Sequence, residues 1–449
     1  MPEYLLLPVS KGSKHAGRER GEDEGTSREI DRKGRQEGGR IRIVFTKPIK
    51  AKEGRMGKSM LRTAAVLTCT MFLIAGTAMA ADVIRIGQLA DLTGPTGDVG
   101  KPYAEGVQAY KEYVNAHGGI NGKKIEMEIY DYAYNKDKAI NQYKKYKEDK
   151  VVAIEGWGTG DTEALSGFIT ADKIPYISAS YSAHLTNPAK TPYNFFCAAD
   201  YTTALRAGLT YLKDNWKEKR APKVVFIYPN HPYGIAPIKG GKEYAKELGF
   251  EILGDEDVGL KAIEANSQML SVKNKGADFA WIGGTTNSTA VILKDAKKLG
   301  LKTRFFVNIW GMDESTPKLA EGAEDGALLM AGSVLYGDNV PGMKLLMEVT
   351  KGQPQVTHYI RGWVSMMVLT EALKRADKAT GGKITGESVK NALETFRDFD
   401  TGGLTPAKIT FTPTDHRPFM AVNIMEFHNG KLVLKKTMVL PRKAEWLGL

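Results

Sequence analysis

Residues 151–171 read VVAIEGWGTGDTEALSGFITA: a β-type apolar run (151–154), a glycine-spaced turn from Glu155 to Asp161, and a segment with helical patterning. A strand that passes through a tight turn into a helix is the repeating unit of a parallel α/β sheet, because parallel strands need a crossover to return the chain. The turn also raises a dinucleotide reading, which it fails. The fingerprint G-x-G-x-x-G puts its third glycine at position 161, where this chain has Asp161, whose carboxylate repels a pyrophosphate. What remains is a turn that presents Thr159 and backbone N–H groups at a helix N-terminus, which suits one small carboxylate. Asp161 is either an N-cap or a charge for the site, and Trp157 is a candidate wall.

Working outward, similar β-type runs start near Val83, Lys124, Val151 and Ile174, and a second set near Lys223, Phe250, Asp278 and Arg304. Helix-length amphipathic segments separate them. Two such sets predict two parallel sheets, hence an α/β protein with two Rossmann-like lobes. Residues 195–222 read as a short strand and a helix that carry the chain to the second lobe, and 326–340 as a strand leading back. Two helices follow (359–379 and 387–399), then 407–440 as a strand, a turn and a hairpin around Asn429-Gly430. The expected division is lobe one from 81–200 with 337–412, and lobe two from 201–336 with 413–449. Repeated passage between them makes a hinge rather than a tether.

In open α/β sheets ligands sit beyond the carboxyl ends of the strands. Beside the Thr159 turn, the next strand ends in the hydroxyl-rich bend Ser178-Ala179-Ser180-Tyr181-Ser182. The opposite lobe offers Tyr233 in YPNHPYG, Thr285 in IGGTTNS, and Trp310 and Gly311 in NIWGMDE, ends that can close over an apolar body. Catalytic constellations are missing from the sequence. There is no G-x-S-x-G elbow, the histidines lack metal-ligand spacing, and Cys197 has no second cysteine beyond the leader to pair with. The expectation is a binding protein with no cofactor, no metal and no enzymatic activity.

The chain carries 63 Lys+Arg against 52 Asp+Glu, a surplus of 11. About +5 of it lies in residues 1–55 and about +2 in the next 25, which leaves about +4 for the rest and no basic stripe for nucleic acid. Residues 58–80, KSMLRTAAVLTCTMFLIAGTAMA, have a basic start, an apolar centre shorter than a membrane span and Ala78-Met79-Ala80 at the end. This is the layout of a secretory signal peptide (56–80) cleaved after Ala80. Residues 1–55 are expected to be a disordered, mis-annotated extension, with the true start at Met56 or Met60.

With IRIGQLADLTGPTGDVGKPYAEGVQAYKEYVNAHGGINGKKIEM (84–127), IPYISAS (174–180), PYG (232–234), KKLGLKTRFF (297–306) and ITFTPTDHRP (409–418), the chain resembles the type I periplasmic solute-binding proteins of the branched-chain amino acid (Leu/Ile/Val) ABC uptake family. The resemblance implies a monomer in the periplasm that serves inner-membrane ABC permease subunits and holds a small-molecule ligand between its lobes. It puts the ligand's carboxylate on Thr159, Ser180 and Ser182, with Tyr181 beside them, and Tyr233 and Thr285 on the closing lobe. Trp310 departs from the family, whose amino-acid binders often have an acidic residue there for the α-ammonium; Val99 stands where an aromatic can occur. The expected ligand is a branched-chain or other apolar amino acid, with Asp161, Glu155 or Asp200 supplying the missing charge. The alternative is an aromatic or aliphatic carboxylic acid or amide without the ammonium, bound for import or for periplasmic sensing.

Overall fold

The computed structural model describes residues 83–449, all within one compact unit, so the expected extension (1–55) and signal peptide (56–80) lie outside the described residues. Sheet one contains β1 (Val83–Ala90), β2 (Lys124–Asp131), β3 (Ile154–Glu155), β4 (Tyr176–Ile177) and β5 (Asn194–Phe195), in the order β2-β1-β3-β4-β5 and parallel throughout. Between them run α1 (Gly97–Ala116), α2 (Lys136–Glu148) and α3 (Thr159–Asp172). The buried apolar positions of these strands, such as Ile84, Ile86, Ile154 and Ile177, form the core of lobe one.

After β5, α4 (Tyr201–Asp214) packs against the second sheet. That sheet holds β6 (Lys223–Tyr228), β7 (Glu251–Asp257), β8 (Phe279–Ile282), β9 (Arg304–Val307), β10 (Leu328–Ala331), β11 (Ala421–His428) and β12 (Lys431–Val439), in the order β12-β11-β10-β9-β8-β6-β7. Its helices are α5 (Pro232–Ile235), α6 (Ile238–Glu247), α7 (Asn266–Lys275), α8 (Thr286–Lys298) and α9 (Thr316–Ala320). The strands from β6 to β10 are parallel, whereas β11 and β12 are antiparallel. The expected hairpin turn is present: Asn429 and Gly430 both take positive φ (51° and 72°), which a two-residue turn of the favoured hand requires. The strand expected at the start of 407–440 is reduced to isolated bridges, Phe399 with Ile409 and Thr412 with Asp415. Exposed β12 is an edge, and Lys431, Lys435 and Lys436 along it discourage pairing with another chain.

The remaining helices are α10 (Pro341–Val349), α11 (Thr357–Thr380) and α12 (Gly386–Leu393). Helix α11 lies against α1 of lobe one, and the two backbones touch because both have glycine at the crossing. A Cβ at Gly106 would overlap the Tyr359 carbonyl, and one at Gly362 the Tyr103 carbonyl. In each sheet the strand order reverses beside the first strand, β1 in one and β6 in the other, and the helices leaving on opposite sides open a crevice there. The Gly362→Ala variant should therefore force the helices apart and cost about 3 kcal/mol, seen as a lower melting temperature. Adding Gly106→Ala should cost less than the sum of the two single changes, since one separation relieves both overlaps.

Candidate functional site

Both reversal points face one cavity of about 250 Å³, lined by Thr96, Val99, Tyr134, Trp157, Gly158, Thr159, Ala179 and Tyr201 on one side and by Tyr233, Thr285 and Trp310 on the other. The loop after β1 is fixed by Asp91, which accepts from Gly94 N (2.6 Å), Thr96 N (2.8 Å) and the Thr96 hydroxyl (2.6 Å). Thr96 Oγ1 in turn accepts from Trp157 Nε1 at 2.8 Å, which sets the indole as a wall. Thr159 opens α3 and shares a hydrogen bond with Ser180 Oγ (2.8 Å), behind which stands Ser182 (3.3 Å).

Aromatic rings close the site from both lobes. Trp157 of lobe one meets Trp310 of lobe two edge to face at 4.8 Å, and Tyr181 stacks on Trp310 at 5.4 Å. Trp310 Nε1 donates to Tyr201 Oη (3.0 Å), and Tyr233 packs edge-on to Tyr201 while its hydroxyl donates to the Gly284 carbonyl (2.8 Å). At the mouth, Tyr134 lies against His231 at 5.1 Å, and Asp98 Oδ2 accepts from Asn287 N at 2.8 Å across the cleft. These contacts between lobes describe a closed cleft.

Of the ten residues read from sequence, Trp157, Thr159, Tyr233, Thr285 and Trp310 border the cavity, whereas Asp161, Ser180, Tyr181, Ser182 and Gly311 do not. The two serines and Tyr181 form a layer behind Thr159 and Trp310. Gly311 is glycine because a Cβ there would collide with Val307. Asp161 is neither of the things expected of it. The N-cap is Gly158, and Asp161 lies inside the first turn of α3, pointed away from the cavity into two phenols, Tyr132 (2.7 Å) and Tyr176 (3.3 Å). Burial pushes its carboxyl up to about 7, against the pull of the Tyr132 hydrogen bond.

The glycines of the turn serve the same tyrosines. A Cβ at Gly156 would run into the Tyr176 ring, and one at Gly158 into Asp161 and Tyr134. The Gly158 N–H is taken by the Tyr132 hydroxyl (3.1 Å), so it is not free for a ligand. The other candidate counter-charges are also engaged elsewhere. Asp200 caps α4 through Thr203 N (2.8 Å) and Thr203 Oγ1 (2.7 Å). Glu155 is buried beneath the aromatic layer, where Ser365 of α11 donates to Oε2 (2.7 Å) and Oε1 has no partner among the described residues. No carboxylate among the described residues lines the cavity.

Sequence reading missed Thr96, Tyr134, Ala179 and Tyr201. Thr96 was within reach, since it ends the strand-end segment DLTGPT, and Tyr201 begins the helix that crosses between lobes. Tyr134 carried no signal: it enters the cavity because Ala133 and Tyr134 both adopt positive φ (50° and 58°).

Residues 83–431 match the family described as periplasmic binding protein. The chain belongs to that family. A solved ABC transporter substrate-binding protein of Aeropyrum pernix is 32% identical, with TM-score 0.75, covering 82% of this chain and 98% of that one. A branched-chain amino acid ABC transporter protein of Thermus thermophilus, solved with bound valine, is 25% identical with TM-score 0.75, covering 81% and 98%. The leucine-, isoleucine-, valine-, threonine- and alanine-binding protein of Pseudomonas aeruginosa is 22% identical over 326 residues, 72% of this chain and 86% of that protein. Periplasmic binding proteins of this kind are not enzymes; they bind small ligands and work with membrane permeases. No helix among the described residues is long and apolar enough to cross a membrane.

Glu155 yields a pH test. Burial raises its carboxyl from 4.5 to about 8, with the Ser365 hydrogen bond opposing. Folding therefore favours the neutral acid: this contribution is complete below about pH 4.5 and is lost as pH rises through about 8. Glu155→Gln should flatten the fall in melting temperature between pH 5 and 9, and at pH 9 should be the more stable protein by on the order of a few kcal/mol.

Proposed function

We propose that the cavity takes a small carboxylic acid without an α-ammonium, aromatic or branched aliphatic, and that the chain delivers it to an ABC permease. The observation that carries this is the lining itself: threonine hydroxyls and aromatic rings, with no carboxylate. A buried ammonium with no counter-charge costs several kcal/mol. A carboxylate, in contrast, finds the Thr159 hydroxyl at the border of the cavity, free to donate once Ser180 takes the other role in their shared hydrogen bond. The enclosed space is small, which suits a compact ligand and not a long acyl chain.

In this reading the protein is exported, loses the segment ending at Ala80, and works as a monomer outside the inner membrane. Ligand contacts with both lobes exist only when Trp157 and Trp310 meet, so binding draws the population toward the closed form that a permease recognises. A second reading, an apolar amino acid, is favoured by the likeness to the protein solved with valine; the ammonium would then rest on the faces of the aromatic rings.

Thermal shift of the purified exported protein, stripped of ligand, separates the two. Benzoate or 4-methylpentanoate at about 100 times Kd should stabilise by roughly 2.7 kcal/mol and raise the melting temperature, while leucine and valine should leave it unchanged. A rise with leucine and none with either acid rules the proposal out. Thr159→Val should weaken binding of the active acid roughly 10-fold or more, the loss of a hydrogen bond to a charged group, and should lower the melting temperature of the empty protein because the Ser180 hydrogen bond is lost too.

A further inference from the structure

A buried cation stands against the cavity wall. Arg361, in the second turn of α11, has its guanidinium carbon 3.9 Å from the centre of the Trp310 ring and is 4% exposed. Nη1 donates to the Ile309 carbonyl at 2.9 Å, Nη2 donates to His358 Nδ1, and Nε has no partner among the described residues. The counter-charge is one ring away: His358 Nε2 lies 3.1 Å from Asp313 Oδ2. Burial first, then the charge of Arg361, lowers His358 to about 4, so the imidazole is neutral, accepting from Arg361 on one nitrogen and donating to Asp313 from the other. Two more carboxylates stand close by: Glu314 accepts from Thr357 N (2.8 Å) and burial raises it to about 7, and Asp98, near enough to Asp313 for the two to repel, accepts from Asn287 N (2.8 Å) and is also raised by burial.

Positive charge thus sits directly against Trp310, and its partner carboxylate, Asp313, lies beyond the His358 ring. Trp310 is the shared element, bordering the cavity and carrying the guanidinium. In a closed, water-poor site a charge acts strongly over such a distance. The ring also fixes its position, because Trp310 is held by Tyr201 through its indole nitrogen.

We infer that Arg361, acting across Trp310, sets the charge selectivity of the cavity, favouring a ligand of net negative charge over its neutral amide and over the zwitterionic α-amino acid. The inference rests on the carboxylic-acid reading of the site and adds the residue that enforces it. Arg361 is a specificity-determining residue that acts through the wall rather than by touching the ligand. It accounts for a site that has no carboxylate at its border and no arginine there either.

Calorimetric Kd values for two matched pairs, benzoate with benzamide and 4-methylpentanoate with 4-methylpentanamide, test it on the intact protein. The unmodified protein should bind the acid of at least one pair about 10-fold or more tightly than its amide. Arg361→Gln should bring that ratio close to one while amide binding persists, which also shows that the cavity is intact. Arg361→Lys should keep the ratio, since it keeps the charge, and Asp313→Asn should raise it by removing the opposing charge. An unchanged ratio in Arg361→Gln, or an equal collapse in Arg361→Lys, overturns the inference. If Arg361→Gln does not fold, Asp313→Asn decides alone: an unchanged ratio there also overturns it. Leucine binding more tightly than both acids in the unmodified protein overturns the carboxylic-acid reading instead, and is visible before any variant is made.

Discussion

Helix α11 is the element on which both lobes depend, and its hold on each is made within three turns. At its start Thr357 N donates to Glu314, the Thr357 hydroxyl bonds Ser333 (2.7 Å), and Arg361 reaches the Ile309 carbonyl, all in lobe two. One turn later Ser365 bonds Glu155 at the end of β3 in lobe one. Between these points Gly362 lets the helix lie directly on α1. Any rotation of one lobe against the other must therefore work against or around this helix. The cavity wall inherits its geometry from that constraint, because Trp310 is packed on Arg361.

The cavity face is built by a second rule, in which aromatic rings do the positioning and short hydroxyls stand between them at the border. Trp157 is set by Thr96, Trp310 by Tyr201, and Gly158 by Tyr132. Buried tyrosines of this kind bring large apolar area and a polar tip that must find a partner. Here the partners are backbone groups, one another and Asp161, and the threonines are left at the cavity border. Asp161 is thus a structural acid: its burial among phenols holds the β3 turn, and its charge is directed away from the cleft.

Much of the fold was legible because its signals are local. Apolar runs near Val83, Lys124, Lys223 and Asp278 mark strands, and Asn429-Gly430 marks a hairpin. Each reflects burial or turn chemistry that a few adjacent residues specify. Strands β3 and β4, two residues each, were still findable because glycine or serine turns follow them. The candidate site was half legible. Trp157, Thr159, Tyr233, Thr285 and Trp310 lie at strand ends, where position along the strand predicts the cavity. Ser180 and Ser182 lie at such an end too, yet face a hydroxyl neighbour instead, because orientation at a bend depends on what packs behind it. Tyr134 was invisible, since nothing in Ala133-Tyr134 announces two consecutive positive φ values.

By itself the sequence determined two lobes built on parallel sheets, since periodicity and strand spacing are properties of the chain. Only the tertiary structure decided where the charges point. Asp161, Glu155 and Asp200 all sit next to the cleft in sequence, and all three are turned into tyrosine, serine or backbone partners. Arg361, more than fifty residues beyond Trp310 along the chain, ends against that ring. The reason is physical: a buried ionisable group goes where hydrogen bonds satisfy it, and those partners come from elements that meet only when the lobes are folded together.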